Sequence, residues 1–193
     1  MGEIEFGEVG DLELAQPPER ILPTLDPTRR VQPMGDIAGD DLHIFLREET
    51  LREMVIYSKS SATHELGGVM IGDFYRHRGI HWIEIAGYVK AAHYVNTSAS
   101  FKFTVESWSA ITREKERRFS DKPVVGWHHT HPRYGIFLSG MDLFIHTHFF
   151  NMPWQVAMVV DPVADTMGFF QWKHRRVTPC GFFYVYDAAS ARR

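Results

Sequence analysis

The stretch Val124-Val125-Gly126-Trp127-His128-His129-Thr130-His131-Pro132, followed by Ser139-Gly140-Met141-Asp142, decides how this chain is read. It opens as an apolar run of the buried-strand type, and Pro132 biases His131 toward extended backbone. Side chains alternate faces along a strand, so His129 and His131 share one face and His128 points to the other. Asp142 stands eleven residues after His131, and Ser139 and Asp142 are three apart, neighbours on one face of a helix that opens at Ser139. A chain that turns from strand into helix there can bring Asp142 back to the two histidines. Two imidazoles and a carboxylate make three ligands for a hydrolytic zinc, with one position left for water. A water in that position needs a base, and Glu65, just ahead of Gly67-Gly68, is the best candidate.

Each part also has a plain structural reading. A lone His-x-His pair is more often two core or surface histidines than a metal pair. Ser139-x-x-Asp142 is close to a capping box, although a cap that fixes the first helical turn would also aim Asp142. Glu65 by itself reads as a solvated glutamate at a helix end. Joint occurrence of all five residues is what favours the metal reading.

The remaining sequence bounds the setting. With 193 residues, 44% of them hydrophobic and 14 of them Phe, the chain has the length and composition of one globular domain with an ordinary core. The net charge is −3 and no basic block is present, which disfavours a nucleic-acid partner. The short basic runs Arg117-Arg118 and Lys173-His174-Arg175-Arg176 read as caps of an element or solvent-facing charges rather than as a grip on phosphate. A single cysteine, Cys180, excludes an intramolecular disulfide and fits a reducing compartment. The acidic start Met1-Gly2-Glu3-Ile4-Glu5-Phe6 lacks a signal-peptide pattern, and no apolar run approaches the ~20 residues of a membrane span. The expectation is a soluble cytoplasmic protein without a membrane or nucleic-acid partner. No heptad or dimer stripe speaks to oligomeric state.

Pro17, Pro18, Pro23, Pro27 and Pro33 punctuate residues 1–40, which read as an N-terminal extension, either disordered or laid over a domain at 41–193. Within that domain the pattern predicts a strand at 42–46, a helix at 48–59, and a hairpin of strands at 69–75 and 80–89. A loop at 90–101 follows, closed by a strand at 101–104, then a helix at 106–119 and the strand leading into His129. A helix from Ser139 to about Asn151 comes next, then strands at 155–160, 167–172 and 182–186.

The full pattern is Glu65, then His129-Thr130-His131-Pro132, then Ser139-x-x-Asp142, with seven residues from Pro132 to Leu138. It resembles the JAB/MPN (JAMM) zinc metalloprotease family, whose signature is Glu…His-(Ser/Thr)-His-x7-Ser-x-x-Asp, and every element is matched. Glu65 to Gly72 resembles the family's glutamate strand. Val125 to His129 resembles the strand into the ligands, and Val159-Val160-Asp161-Pro162 with Gly168-Phe169-Phe170 resembles the strand pair after the ligand helix. The resemblance covers roughly Leu42 to Trp172 and is stronger to compact, stand-alone prokaryotic-type members than to large complex-bound ones. It implies an α/β (mixed α+β) fold, a cytidine-deaminase-like mixed sheet flanked by helices. It implies zinc held by His129, His131 and Asp142, with Glu65 as general acid/base and Ser139 stabilising the tetrahedral intermediate. The implied activity is a peptidase or isopeptidase cleaving after the C-terminal tail of a ubiquitin-like protein. The alternative is a non-catalytic scaffold that binds such a partner or a complex subunit.

The tail of such a substrate would lie extended beside an edge strand. Tyr134, Ile136 and Phe137 in the loop 132–138, and a flap at 90–100, are candidates for contacting it, against ordinary packing. His146-Thr147-His148 repeats the His-x-His pattern, but inside a helix residues two apart diverge by about 200°, so these read as surface or supporting histidines. His128 is expected to pack or to bond backbone. Pro179-Cys180-Gly181 matches only half of a deaminase signature, and Cys180 reads as a structural thiol.

Overall fold

The apolar alternation on both sides of Arg78-Gly79 builds the spine of the molecule. In the computed structural model, which describes residues 17–92, 95–97 and 100–187, β3 (Gly67–His77) and β4 (Ile80–Lys90) form one long antiparallel hairpin. Arg78 and Gly79 turn it with φ of 48° and 86°, the two-residue left-handed geometry that suits twisted strands.

The other strands add to both sides of this hairpin. β2 (His43–Arg47) lies parallel to β4, and β11 (Phe182–Asp187) lies parallel to β2. On the other side β7 (Val124–Thr130) pairs antiparallel with β3, and β8 (Val156–Asp161) runs parallel to β7. β9 (Thr166–Lys173) and β10 (Arg176–Cys180) continue antiparallel, and β1 (Arg29–Met34) closes the far side against β11. The result is a nine-stranded mixed sheet in the order β1-β11-β2-β4-β3-β7-β8-β9-β10, beside a two-stranded ribbon of β5 (Val95–Thr97) and β6 (Ser100–Lys102).

Helices cover both faces. α1 (Glu48–Ser58) buries Met54 against Ile44, Leu46, Met70, Ile85 and Met158. On the opposite face α2 (Val105–Phe119) brings Ile111, and α3 (Gly140–Phe149) brings Ile145, onto Val69, Ile71, Trp127 and Val159. Among the described residues no helix is long and apolar enough to cross a membrane.

Residues 1–16 of the stretch read as an extension lie outside the described residues. From Pro17 onward the chain lies on the sheet. Pro18 O accepts the Arg76 amide at 3.1 Å and Arg20 N–H donates to Arg76 O at 2.9 Å, covering the part of β3 that runs beyond β7. Leu22 then packs with Phe45, Trp82 and Val185. Regular structure therefore starts ahead of the strand expected at 42–46. β1 is joined to the interior through Arg29, which contacts the buried Glu84 Oε1 at 2.5 Å, while Arg47 Nε reaches the same oxygen at 2.8 Å.

Other differences have local causes. β10 carries no sequence signal: its hairpin turn uses His174 and Arg175 at φ 49° and 62°, without glycine, and Pro179 sits within the strand. That proline is tolerated because β10 is an edge. The basic run 173–176 thus forms a hairpin turn, with His174, Arg175 and Arg176 facing solvent. The strand expected at 101–104 ends at Lys102, because Thr104 is committed as the N-cap of α2, its hydroxyl accepting the Ser107 amide at 3.1 Å. Part of the flap expected at 90–100 lies outside the described residues, and the backbone described there forms the β5–β6 ribbon.

Candidate metal centre

The last residues of β7 and the segment entering β3 are tied together before any ion is considered. Gly67 pairs with His129 in the β3–β7 register. One step earlier, Leu66 N–H donates to Thr130 Oγ1 and Thr130 N–H donates to Leu66 O, both at 2.8 Å. Glu65 is therefore held beside the strand that carries the histidines, and it is buried, at 4% exposed. Gly68 lets the strands close up here, since a Cβ would stand 2.4 Å from Val89 O and 2.6 Å from the Tyr88 hydroxyl. Thr130→Val keeps the shape but strands the Leu66 amide, so the melting free energy should fall by about 1–3 kcal/mol. A denaturant titration checks this.

Ser139 and Asp142 form the cap of α3. Asp142 N–H donates to Ser139 Oγ at 3.2 Å, and Ser139 N–H donates to Asp142 Oδ2 at 2.7 Å. Both readings of Ser-x-x-Asp hold at once, because the same cap turns Asp142 inward. Its Oδ1 lies 3.4 Å from His129 Nε2, and its Oδ2 lies 3.4 Å from His131 Nε2. The two Nε2 atoms are 3.0 Å apart, and Glu65 Oε1 stands 3.9 Å from His131 Nε2. Ser139 Oγ accepts from the Asp142 amide, which leaves its O–H to donate elsewhere.

These residues suit a metal. Two imidazole nitrogens and a carboxylate oxygen lie within 4.8 Å of one another, all three residues buried, and among the described residues they are the group that could hold an ion. Ligands bound to one zinc at ~2.0–2.1 Å in tetrahedral array stand about 3.3 Å apart, close to the separations of 3.0 and 3.4 Å found here. Burial pushes the His129 imidazole down, toward the neutral form a metal ligand needs. Burial pushes the Asp142 carboxyl up, but hydrogen bonds from His129 and His131 outweigh it and hold Asp142 well below the usual carboxylate range.

Packing orients the ligands. The Trp127 indole stacks on the His129 ring at 4.4 Å between centroids and 9° between planes. Its Nε1–H donates to His146 Nδ1 at 3.1 Å, and burial pulls His146 down to about 4, so that nitrogen stays an acceptor. Phe137 lies 4.7 Å from the His131 ring and remains 45% exposed, at the mouth of the site. Behind the site, Ser58 Oγ donates to Met54 O, so His128 Nε2 must donate to Ser58 Oγ and His128 Nδ1 must accept from Tyr88. His128 thus faces away from the centre as expected, but it bonds two side chains rather than backbone. Burial holds it neutral, at about 3.

The second histidine pair does not converge: His146 is buried, whereas His148 is exposed and stacks on Phe144. Cys180 is half-buried and pushed up to about 12 by burial, which leaves little thiolate for nucleophilic chemistry. The edge strand expected beside the site is not part of the main sheet. Its edges are β1 and β10, and β10 is three strands, roughly 14 Å, from β7. The supporting roles of Thr130 and Trp127 were not read from the sequence. Their signal was present in the strand parity, which sets Trp127, His129 and His131 on one side and His128 and Thr130 on the other.

Fold and site together define a mixed α/β domain in which the end of β7 and the first turn of α3 bring together a candidate metal-binding His-His-Asp trio. Residues 41–153 match the family described as JAB1/Mov34/MPN/PAD-1 ubiquitin protease, and the chain belongs to it. Over 126 residues it is 25% identical to the 26S proteasome regulatory subunit RPN11 of Eremothecium gossypii, covering 65% of this chain and 40% of that protein. Over 117 residues it is 33% identical to COP9 signalosome complex subunit 5 of Drosophila melanogaster, covering 58% of this chain and 34% of that protein. It is 24% identical over 137 residues to ubiquitin carboxyl-terminal hydrolase RPN11 of Saccharomyces cerevisiae, with coverages of 69% and 44%. The chain thus spans less than half the length of these relatives. A solution structure of a protein from Desulfitobacterium hafniense superposes with a TM-score of 0.54 at 17% identity, covering 73% of this chain and 92% of that one, a likeness of fold.

Proposed function

We propose that this protein is a zinc-dependent peptidase or isopeptidase that cleaves after the C-terminal tail of a ubiquitin-like protein. The observation that carries the reading is the gathering of Glu65, His129, His131, Asp142 and Ser139 around one buried point, in a chain of a family whose relatives include a ubiquitin carboxyl-terminal hydrolase. His129, His131 and Asp142 hold the ion. When bound, zinc makes a water nucleophilic near neutral pH, by lowering its pKa toward ~7, and polarises the scissile carbonyl. Glu65 takes the proton of the attacking water and gives it to the leaving amine nitrogen as the C–N bond breaks. The Ser139 hydroxyl donates to the carbonyl oxygen as that atom gains charge. Glu65, His129, His131 and Asp142 are buried and Ser139 is half-buried, so these charges develop against a lowered dielectric and act strongly.

The test is to count zinc per chain and to offer ubiquitin-like proteins extended past their terminal glycine. About one zinc, lost in Asp142→Ala, with chelator-sensitive cleavage is the expected result. A chain that takes up no zinc after reconstitution would instead be a non-catalytic scaffold, and unchanged zinc in Asp142→Ala would remove that residue from the ligand set.

A further inference from the structure

Between His131 and Ser139 the chain passes through Pro132–Leu138, and one carboxylate on another element organises that loop. Asp161, the last residue of β8, is 1% exposed. Its Oδ1 accepts the amides of Arg133, Val163 and Ala164, and its Oδ2 accepts the amide of Gly135, all at 3.0 Å. Arg133 and Gly135 have φ of 71° and 80°, so the loop twice enters the left-handed region, and Arg133 does so without being glycine. A residue held there needs support from its surroundings, and two amides aimed at one buried carboxylate provide it.

The rest of the loop is seated on the same strand pair. His131 N–H donates to Val160 O at 2.9 Å, and Ile136 fills the space over Gly168, where a Cβ would come within 2.7 Å of Ile136 Cγ2. Phe137 then lies against His131, and the loop ends at the Ser139 cap. We infer that Asp161 is a positioning residue: it fixes the loop 132–138, and through it the placement of Phe137 and Ser139 relative to His131, without touching substrate. Its consequence for turnover rests on the function proposed above; its consequence for loop conformation does not.

The experiment pairs amide hydrogen exchange with steady-state kinetics on the full chain. Asp161→Asn keeps one acceptor oxygen, which the amides of Arg133, Val163 and Ala164 can still share, and sets an NH₂ against the Gly135 amide. Exchange at the Gly135 amide, which loses its acceptor, should rise at least roughly tenfold, while the β8 amides of Met158 and Val159 keep their protection. Zinc content should match wild type, and kcat on a C-terminally extended ubiquitin-like protein should fall about tenfold or more with KM little changed. A second pair of variants changes the loop while leaving the Asp161 side chain itself in place. No atom lies within 4 Å of a Cβ at Gly135, so Gly135→Val perturbs backbone conformation alone, whereas Gly135→Asn tolerates the left-handed φ. Gly135→Val should reproduce both effects and Gly135→Asn should stay within about twofold of wild type. Wild-type loop exchange in Asp161→Asn, or equal behaviour of the two Gly135 variants, would overturn the inference. If wild type cleaves nothing, the proposed function fails while the exchange result still decides the role of Asp161.

Discussion

Glu65→Gln should bind zinc at the wild-type stoichiometry and lose at least ~10²-fold in kcat, the usual contribution of general acid–base catalysis. The amide keeps the shape of the side chain in its buried place beside His131 but cannot take a proton from water. The hydrogen bonds between Leu66 and Thr130 that hold the segment are unaffected by this change, so the fold should be kept. Metal analysis together with turnover of an extended ubiquitin-like protein reads both halves. Full turnover with zinc in place would remove Glu65 from the chemistry, and loss of zinc would make it a ligand instead.

Glu84→Gln should be strongly destabilising, by about 2 kcal/mol, because it takes the charged acceptor away from two guanidinium groups at a buried position. Glu84 is 1% exposed on β4 and receives Arg29 from β1 and Arg47 from the end of β2. Burial pushes its carboxyl up, but the hydrogen bond and charge of Arg47, with those of Arg29, outweigh that and bring it below the ordinary glutamate value. The sign follows: a carboxyl lowered by folding adds stability above its unfolded pKa of ~4.3, and that share is lost as pH falls through the folded value. The gap between wild type and Glu84→Gln should therefore be widest near neutral pH and shrink once pH drops below about 4. A constant gap from pH 7 to pH 3 would mean that the ion pair is not what stabilises β1.

The two predictions also mark where the sequence was legible. Hydrophobic period and spacing were enough for the β3–β4 hairpin, for α1 and α2, and for the alternation that faces His129 and His131 together. They worked because each feature is local: parity along a strand, a cap three residues from its acid, a proline that keeps His131 extended. The contribution of residues 17–34 was illegible for the opposite reason. A proline-punctuated stretch with no period is recognisable as sheet only once Phe182–Asp187 is beside it to pair with. β10 hid behind a turn made by His174 and Arg175 instead of glycine or asparagine. The role of Asp161 was equally non-local, since its amide partners at Arg133 and Gly135 lie on the far side of α3 in sequence.

The hairpin that carries Glu65 at its entrance is held at its other end by Pro18 and Arg20. The eleven residues of β3 span about 33 Å. Chain arriving at Pro17 thus meets the sheet at the pole opposite the metal centre. A pull applied at Pro17 would therefore load the hairpin at the end away from the mouth that Phe137 lines.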